Sequence, residues 1–85
     1  MQLEILFFAS FRERLGVSGQ QLTVTEEVAT VAQLRAWLVA RHPDWESVLG
    51  EGERVMTAVN QTLAGDDDVL SEGDEVAFFP PVTGG

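Results

Sequence analysis

The sequence predicts an α+β domain in which a mixed sheet packs on one principal helix, accompanied by short extra helical turns. Strand-like segments stand near both ends of the 85-residue chain, and one amphipathic helix pattern lies between them. Hydrophobic residues make up 45% of the chain and charged residues 22%, which is typical of a globular domain. We therefore predict one domain over residues 1–79, followed by an extended tail over residues 80–85.

The first segment alternates as a strand does. In residues 2–8 the apolar residues Leu3, Ile5 and Phe7 fall on one face. The following stretch, ASFRERLG, places two apolar residues four apart and ends in a glycine, which predicts a short helical turn with a glycine stop.

The principal helix follows a second strand. Residues 20–27, QQLTVTEE, predict that strand because β-branched residues alternate with polar ones. In TVAQLRAWLVARH, Thr30 and Gln33 form a capping-box pattern, and Pro43 stops the helix. The apolar stripe of this helix consists of Val31, Leu34 and Leu38.

The second half of the chain predicts one more short helical turn, in PDWESVLG, and three more strands. Residues 54–60 form the third strand, Thr62-Leu63 at most a very short one, and residues 75–79 the last, after a turn at 71–74. If the first and last strands are central parallel neighbours, this order is the β-grasp arrangement. The helix then covers one face of the sheet and leaves the other for water or a partner.

The charge balance limits the possible partners. Fourteen acidic residues stand against five basic ones, all arginine, giving a net charge of −9. Nothing here could neutralise phosphates, so we predict neither nucleic acid nor an anionic membrane as a partner, and a basic protein surface instead. No apolar run approaches membrane-spanning length and the start has no basic n-region, so we expect a cytoplasmic protein.

No group of side chains predicts catalysis or metal binding. The chain has no cysteine, which excludes disulfides, cysteine-ligated metals and a thiol nucleophile. His42 is the only histidine and lies at the predicted end of a helix. The run Asp66-Asp67-Asp68 lacks the alternating spacing of a calcium loop and is typical of a solvated loop.

The outward face of the predicted sheet carries an apolar patch. If Val76 and Phe78 point toward the helix, then Leu6, Phe8 and Phe79 point away from it. Exposed apolar residues on neighbouring strands usually mark an interface. Two alternatives remain: the register is inverted, or the short helical turns cover this face.

The tail PPVTGG is built to extend. Pro80 and Pro81 lack amide hydrogens, so the chain cannot continue as an interior strand and favours a polyproline-like exit. Gly84 and Gly85 let the backbone pass through a channel too narrow for a Cβ atom. Such a tail could place its terminal carboxylate inside another protein, whereas the alternative is an ordinary frayed end.

Two segments carry a resemblance to a known family. AVNQTL (58–63) and EGDEVAFFPPVTGG (72–85) closely resemble the small, sulfur-carrying subunits of molybdopterin synthase, which are ubiquitin-like β-grasp proteins. The similarity extends over the whole chain, although between residues 17 and 53 it is one of pattern rather than motif.

The resemblance implies a sulfur carrier whose reactive group is the C-terminal carboxylate of Gly85. A ubiquitin-activating-like adenylyltransferase would use ATP to adenylate this carboxylate, which is then converted to a thiocarboxylate. The loaded tail would enter the large synthase subunit, in a heterotetramer, and transfer sulfur to cyclic pyranopterin phosphate to form the dithiolene. The chain itself would bind no cofactor and no metal. The tail residues that insert are Pro80, Pro81, Val82, Thr83 and Gly84.

The resemblance also implies an interface with the large subunit at Phe8, Leu63 and Phe79. The alternatives are a sulfur carrier for thiamine or for tRNA thiolation, a modifier conjugated to lysines, and a non-catalytic ubiquitin-like interaction domain.

Overall fold

The computed structural model describes residues 1–81, and within them five strands form a single sheet. The strands are β1 (Gln2–Phe7), β2 (Gly19–Thr23), β3 (Met56–Val59), β4 (Thr62–Ala64) and β5 (Glu75–Phe79). The helices are α1 (Ala9–Leu15), α2 (Val31–Arg41) and α3 (Glu46–Leu49), with a 3-10 turn at Pro43–Trp45 leading into α3. No helix in this part of the chain has the length and apolar character needed to cross a bilayer.

The sheet has the order β2-β1-β5-β3-β4. β1 and β5 are parallel, with Ile5 opposite Val76 and Phe7 opposite Phe78. The other three pairs are antiparallel. The first and last strands are therefore neighbours inside a mixed sheet, which confirms the predicted β-grasp arrangement.

The core fills the space between the helices and one face of the sheet. Phe7 packs edge-on against Trp45, with ring centroids 5.4 Å apart, and stacks on Phe78 at 6.0 Å. Buried residues of all three α-helices belong to this one cluster, so the helices cover a single face, which we call the inner face. The cluster consists of Leu3, Ile5, Phe7, Phe11, Val24, Val28, Val31, Leu34, Leu38, Trp45, Val48, Leu49, Leu70, Val76 and Phe78.

The principal helix begins as the sequence predicts. The Thr30 hydroxyl accepts a hydrogen bond from the Gln33 amide at 3.3 Å, and the Gln33 side chain accepts one from the Thr30 amide at 3.1 Å. The first two amides of α2 donate to the carbonyl oxygens of Asp68 and Asp66 at 3.1 and 3.0 Å. The acidic loop is exposed, as predicted, and its backbone holds the start of α2. At the other end His42 stacks on Trp45, with centroids 3.9 Å apart.

Several predicted element bounds are wrong. β2 ends at Thr23 rather than at residue 27, because the chain turns where the Val28 amide donates to the Thr25 carbonyl at 3.1 Å. β1 ends at Phe7 rather than at residue 8, because the backbone bends sharply at Ala9. The predicted third strand over residues 54–60 is shortened to β3.

Candidate functional site

The face of the sheet opposite the helices, which we call the outer face, carries an apolar row. Paired residues cross all five strands in the order Gly19, Leu6, Ala77, Ala58 and Leu63. Two small residues, Ala77 and Ala58, thus lie between the two leucines, and Gly19 lies beyond Leu6. Ala77 is only 6% exposed, whereas the Leu63 side chain at the far edge is 67% exposed. A row of this composition gives a nearly flat apolar surface that could fit against another protein.

Aromatic residues border the apolar row where β1 and β5 end. Phe79 is half-buried and lies opposite Met56 of β3. Phe8 follows β1 directly and is 45% exposed. Its amide donates to the Phe78 carbonyl at 3.2 Å, which prolongs the β1–β5 ladder by one residue and holds Phe8 beside the sheet.

The turn after Phe8 is unusual. Phe8 is extended, with φ −121° and ψ 160°, whereas Ala9 has φ +55°. Left-handed backbone is unfavourable for alanine by about 1–2 kcal/mol. This bend starts α1 immediately after the strand and sends it to the inner face, where Phe11 is buried. Phe8 is thereby left uncovered at the rim of the outer face.

A second left-handed turn positions Leu63. Asn60 and Gln61 join β3 to β4 with φ values of 51° and 70°, the conformation that suits a two-residue hairpin. The side-chain nitrogen of Asn60, Nδ2, donates to Asp74 Oδ1 at 2.9 Å. Its side-chain oxygen, Oδ1, accepts from the Glu75 backbone amide at 3.0 Å. One side chain therefore ties the hairpin that carries Leu63 to the start of β5.

The tail begins at the apolar end of this face. β5 ends at Phe79, and the half-buried Pro80 and Pro81 lead the chain away. We use the name outer apolar surface for Phe8, Leu63 and Phe79 together with Leu6 and Met56. The prediction that Leu6, Phe8 and Phe79 face away from the helices is confirmed, and the helices do not cover them.

The assigned roles of these residues stay predictions. The interface at Phe8, Leu63 and Phe79 has the exposure that a contact surface requires. Four of the predicted tail residues, Val82, Thr83, Gly84 and the reactive Gly85, lie outside the described residues.

Among the described side chains, no three histidine, cysteine or acidic residues come close enough to hold a metal ion. Every buried side-chain nitrogen and oxygen of this part of the chain has a hydrogen-bond partner. His42 lies against Trp45.

Sequence reasoning missed several residues of the site. Met56 and Ala58 line the outer face because of the register between β3 and β5. Asn60 was missed as a clamp, although its sequence offered a signal: Asn-Gln between two β-branched segments suits a turn with positive φ.

Comparison with known proteins finds a matching family model and several similar proteins. The ThiS family model matches residues 5–85. The molybdopterin synthase sulfur carrier subunit of Escherichia coli (strain K12) is 45% identical over 83 residues, covering 98% of this chain and 99% of the relative. SAMP1, a small archaeal modifier protein of Haloferax volcanii, is 32% identical with a TM-score of 0.79 and full coverage of both chains. A putative molybdopterin converting factor subunit 1 from Pyrococcus furiosus is 32% identical with a TM-score of 0.78, covering 96% of this chain and 99% of the other.

Proposed function

Because the chain belongs to the ThiS family, we propose that it is the sulfur carrier subunit of a molybdopterin synthase and that it carries sulfur on Gly85. The full-length similarity to the Escherichia coli sulfur carrier subunit supports a carrier role in molybdenum cofactor biosynthesis. The proposal adds that the sulfur is held as a C-terminal thiocarboxylate and delivered to cyclic pyranopterin phosphate.

The geometric observation that carries the proposal is the course of β5. This strand lies in the interior of the sheet and ends at Phe79, beside the exposed Phe8 and in the half of the outer face that is apolar. Pro80 and Pro81 follow at once. A protein that covers the outer apolar surface is therefore also adjacent to the start of the tail. Docking and tail insertion can then occur in one binding event.

The chemistry begins with activation, since a carboxylate has a poor leaving group and is a poor acyl donor. Adenylation of Gly85 joins its carboxylate to the α-phosphate of ATP and releases pyrophosphate. Hydrosulfide from a sulfur donor then attacks the acyl carbon, displaces AMP and leaves the thiocarboxylate. In the synthase, that sulfur attacks a carbon of the pterin precursor and displaces an oxygen substituent from it. Water then cleaves the acyl–sulfur bond, which leaves the sulfur on the pterin and returns the Gly85 carboxylate. Two such transfers supply the two sulfurs of the dithiolene.

The role of this chain is delivery, and the partner supplies the catalytic side chains. An arm of Pro80 to Gly85 spans roughly 15–20 Å at about 3 Å per extended residue, enough to reach a recessed site. Holding the sulfur there orients it and excludes water, which contributes to rate without any catalytic group on the carrier.

This scheme requires two partner proteins, and both would bind the chain in the cytoplasm. The large synthase subunit would cover Phe8, Leu63 and Phe79. A ubiquitin-activating-like adenylyltransferase would bind the same chain, hold the ATP and adenylate Gly85, so that this chain needs no cofactor of its own. The net charge of −9 suits partners that bind ATP or a pterin phosphate, whose surfaces are basic.

The test is alkylation of the protein isolated from its native host, followed by peptide mapping. Because the chain has no cysteine, a thiol-directed label on the C-terminal peptide reports sulfur at the terminus. Intact mass alone is ambiguous, since exchange of oxygen for sulfur adds about 16 Da, nearly the same as oxidation of Met1 or Met56.

The matched control is the chain without Gly85, produced in the same host. We expect label on the native C-terminal peptide and none on the shortened chain. If the native chain stays unlabelled after incubation with ATP, the activating enzyme and a sulfur donor, the sulfur-carrier proposal is wrong and a plain interaction domain remains.

A second candidate function is conjugation to target lysines. The likeness to SAMP1 favours it specifically, because that relative is named a modifier protein. Mass spectrometry of host lysates would reveal Gly85 in isopeptide linkage to lysine. Finding such adducts, together with an unlabelled free terminus, would support the modifier over the sulfur carrier.

A further inference from the structure

The outer face also carries a pair of opposed carboxylates. Glu4 of β1 and Glu75 of β5 are direct partners in the parallel register, one residue pair before the apolar row. Adjacent strands lie about 4.8 Å apart, and both side chains leave on the outer face. Like charges placed directly opposite each other destabilise a sheet. The sheet nevertheless places Glu4 and Glu75 opposite each other.

Neither carboxylate is engaged within the described residues. The neighbouring acidic residues do form hydrogen bonds. The Glu72 carboxylate accepts from the Gln2 backbone amide at 3.1 and 3.2 Å, and the Asp74 carboxylate accepts from the Asn60 side chain and from the Ser71 backbone amide. In contrast, the side-chain oxygens of Glu4 and Glu75 accept no hydrogen bond from residues 1–81, whose one ion pair joins Arg35 to Asp66.

The pair borders the outer apolar surface. Leu6 and Ala77 are the next outward residues along β1 and β5, so a protein lying on the apolar row also covers the carboxylates. Beside Glu4, a shallow depression of about 330 Å³ runs along Leu6 toward Gly19. A long side chain from a partner could lie there.

We propose that Glu4 and Glu75 together receive an arginine or lysine of the large subunit, at the end of the interface remote from the tail. This rests on the proposed function, since it assumes the same partner and face. Covering two carboxylates without a cation would leave two desolvated charges unpaired, which is strongly unfavourable, whereas one guanidinium can donate to both. The pair would also fix orientation, because the apolar row alone would tolerate sliding.

The experiment compares Glu4→Gln/Glu75→Gln with the wild-type chain by calorimetric titration against the large subunit of the same organism. The control, Glu13→Gln/Glu26→Gln, removes two exposed carboxylates from α1 and from the turn after β2, with the same change in net charge. We expect the first variant to bind about tenfold more weakly than the control and to depend less on salt between about 50 and 300 mM.

Thermal unfolding of the free chains supplies the second readout. Loss of repulsion should raise the melting temperature of Glu4→Gln/Glu75→Gln by about 1–5 °C, so that stability rises while affinity falls. A purely structural role would lower both. Equal affinities of the two double variants, or a lowered melting temperature with lowered affinity, would overturn the proposal.

A third variant separates this proposal from the one it rests on. Leu63→Ala removes an exposed side chain from the apolar surface and leaves both carboxylates in place. If Leu63→Ala weakens binding and the glutamate variant does not, only the carboxylate pair is wrong. If the wild-type chain fails to bind the large subunit, or Leu63→Ala binds as wild type does, the proposed docking surface is itself wrong.

Discussion

The two faces of the sheet use the same kinds of residue for opposite purposes. Phe78 and Phe79 are neighbours in β5, yet Phe78 is 0% exposed within the core, whereas Phe79 lies half-buried on the outer face. On the inner face every large side chain has a partner within the chain. On the outer face the apolar side chains have none among residues 1–81 beyond their strand neighbours. Apolar character alone therefore does not separate folding residues from recognition residues, but the presence of a covering layer does.

The largest expected effect is a loss of stability from a substitution in the core at the inner face. Phe78→Ala should lower the free energy of unfolding by about 3–5 kcal/mol, because it leaves a cavity in a packed core. That is a large share of the roughly 5–15 kcal/mol typical of a domain. Urea denaturation would measure it. A loss below about 1 kcal/mol would contradict the central position of this ring.

The second largest expected effect is a loss of affinity for the large subunit from a substitution on the outer face. Phe79→Ala should weaken association with the large subunit at least about tenfold, as loss of an aromatic interface residue does. Its effect on unfolding should stay near 1 kcal/mol, because the ring is only half-buried. Titration calorimetry and urea denaturation of the same preparation give both values. If stability falls as far as in Phe78→Ala, the contrast between the faces fails.

The Asn60 clamp, which ties the β3–β4 hairpin to the start of β5, should give an intermediate effect. Asn60→Gly keeps the left-handed turn but removes two side-chain hydrogen bonds, which should cost about 1–2 kcal/mol of stability. Hydrogen exchange should accelerate in β4 before the rest of the sheet. Gln61→Gly is the matched control, since its φ is also positive and its side chain makes no hydrogen bond within residues 1–81; it should be neutral or slightly stabilising. Equal losses in both variants would refute the clamp.

The smallest effect tests the bend beside Phe8. Ala9→Gly should raise the free energy of unfolding by about 0.5–1 kcal/mol, because relief of left-handed strain exceeds the entropy that glycine loses. The same change at Ala36, in the exposed middle of α2, should instead cost about 1 kcal/mol. Chemical denaturation of the two variants should therefore give opposite signs. A loss in both would mean that Ala9 is not strained.

Sequence reasoning succeeded where local pattern and tertiary packing agree. The capping box at Thr30 and the alternation that buries Leu3, Ile5 and Phe7 needed nothing beyond their own segments. Leu63 could not be assigned to a face from the residues themselves, because its direction depends on its pairing with Ala58 across a turn of two left-handed residues. The end of β2 was missed for a related reason: β-branched residues continue past Thr23, but no partner strand does.

The parallel pairing of β1 and β5 has a consequence for how the chain is made. Of the described elements, β5 is the last to leave the ribosome, yet it is the strand that joins the β1–β2 pair to the β3–β4 pair. Until it arrives, the inner faces of both strands have no complete layer to join, and the contacts that close the sheet span almost the whole chain. The sheet therefore closes only after β5 has been made. Pro80 and Pro81 follow β5 directly, so this segment acquires a fixed starting point only when the sheet has closed.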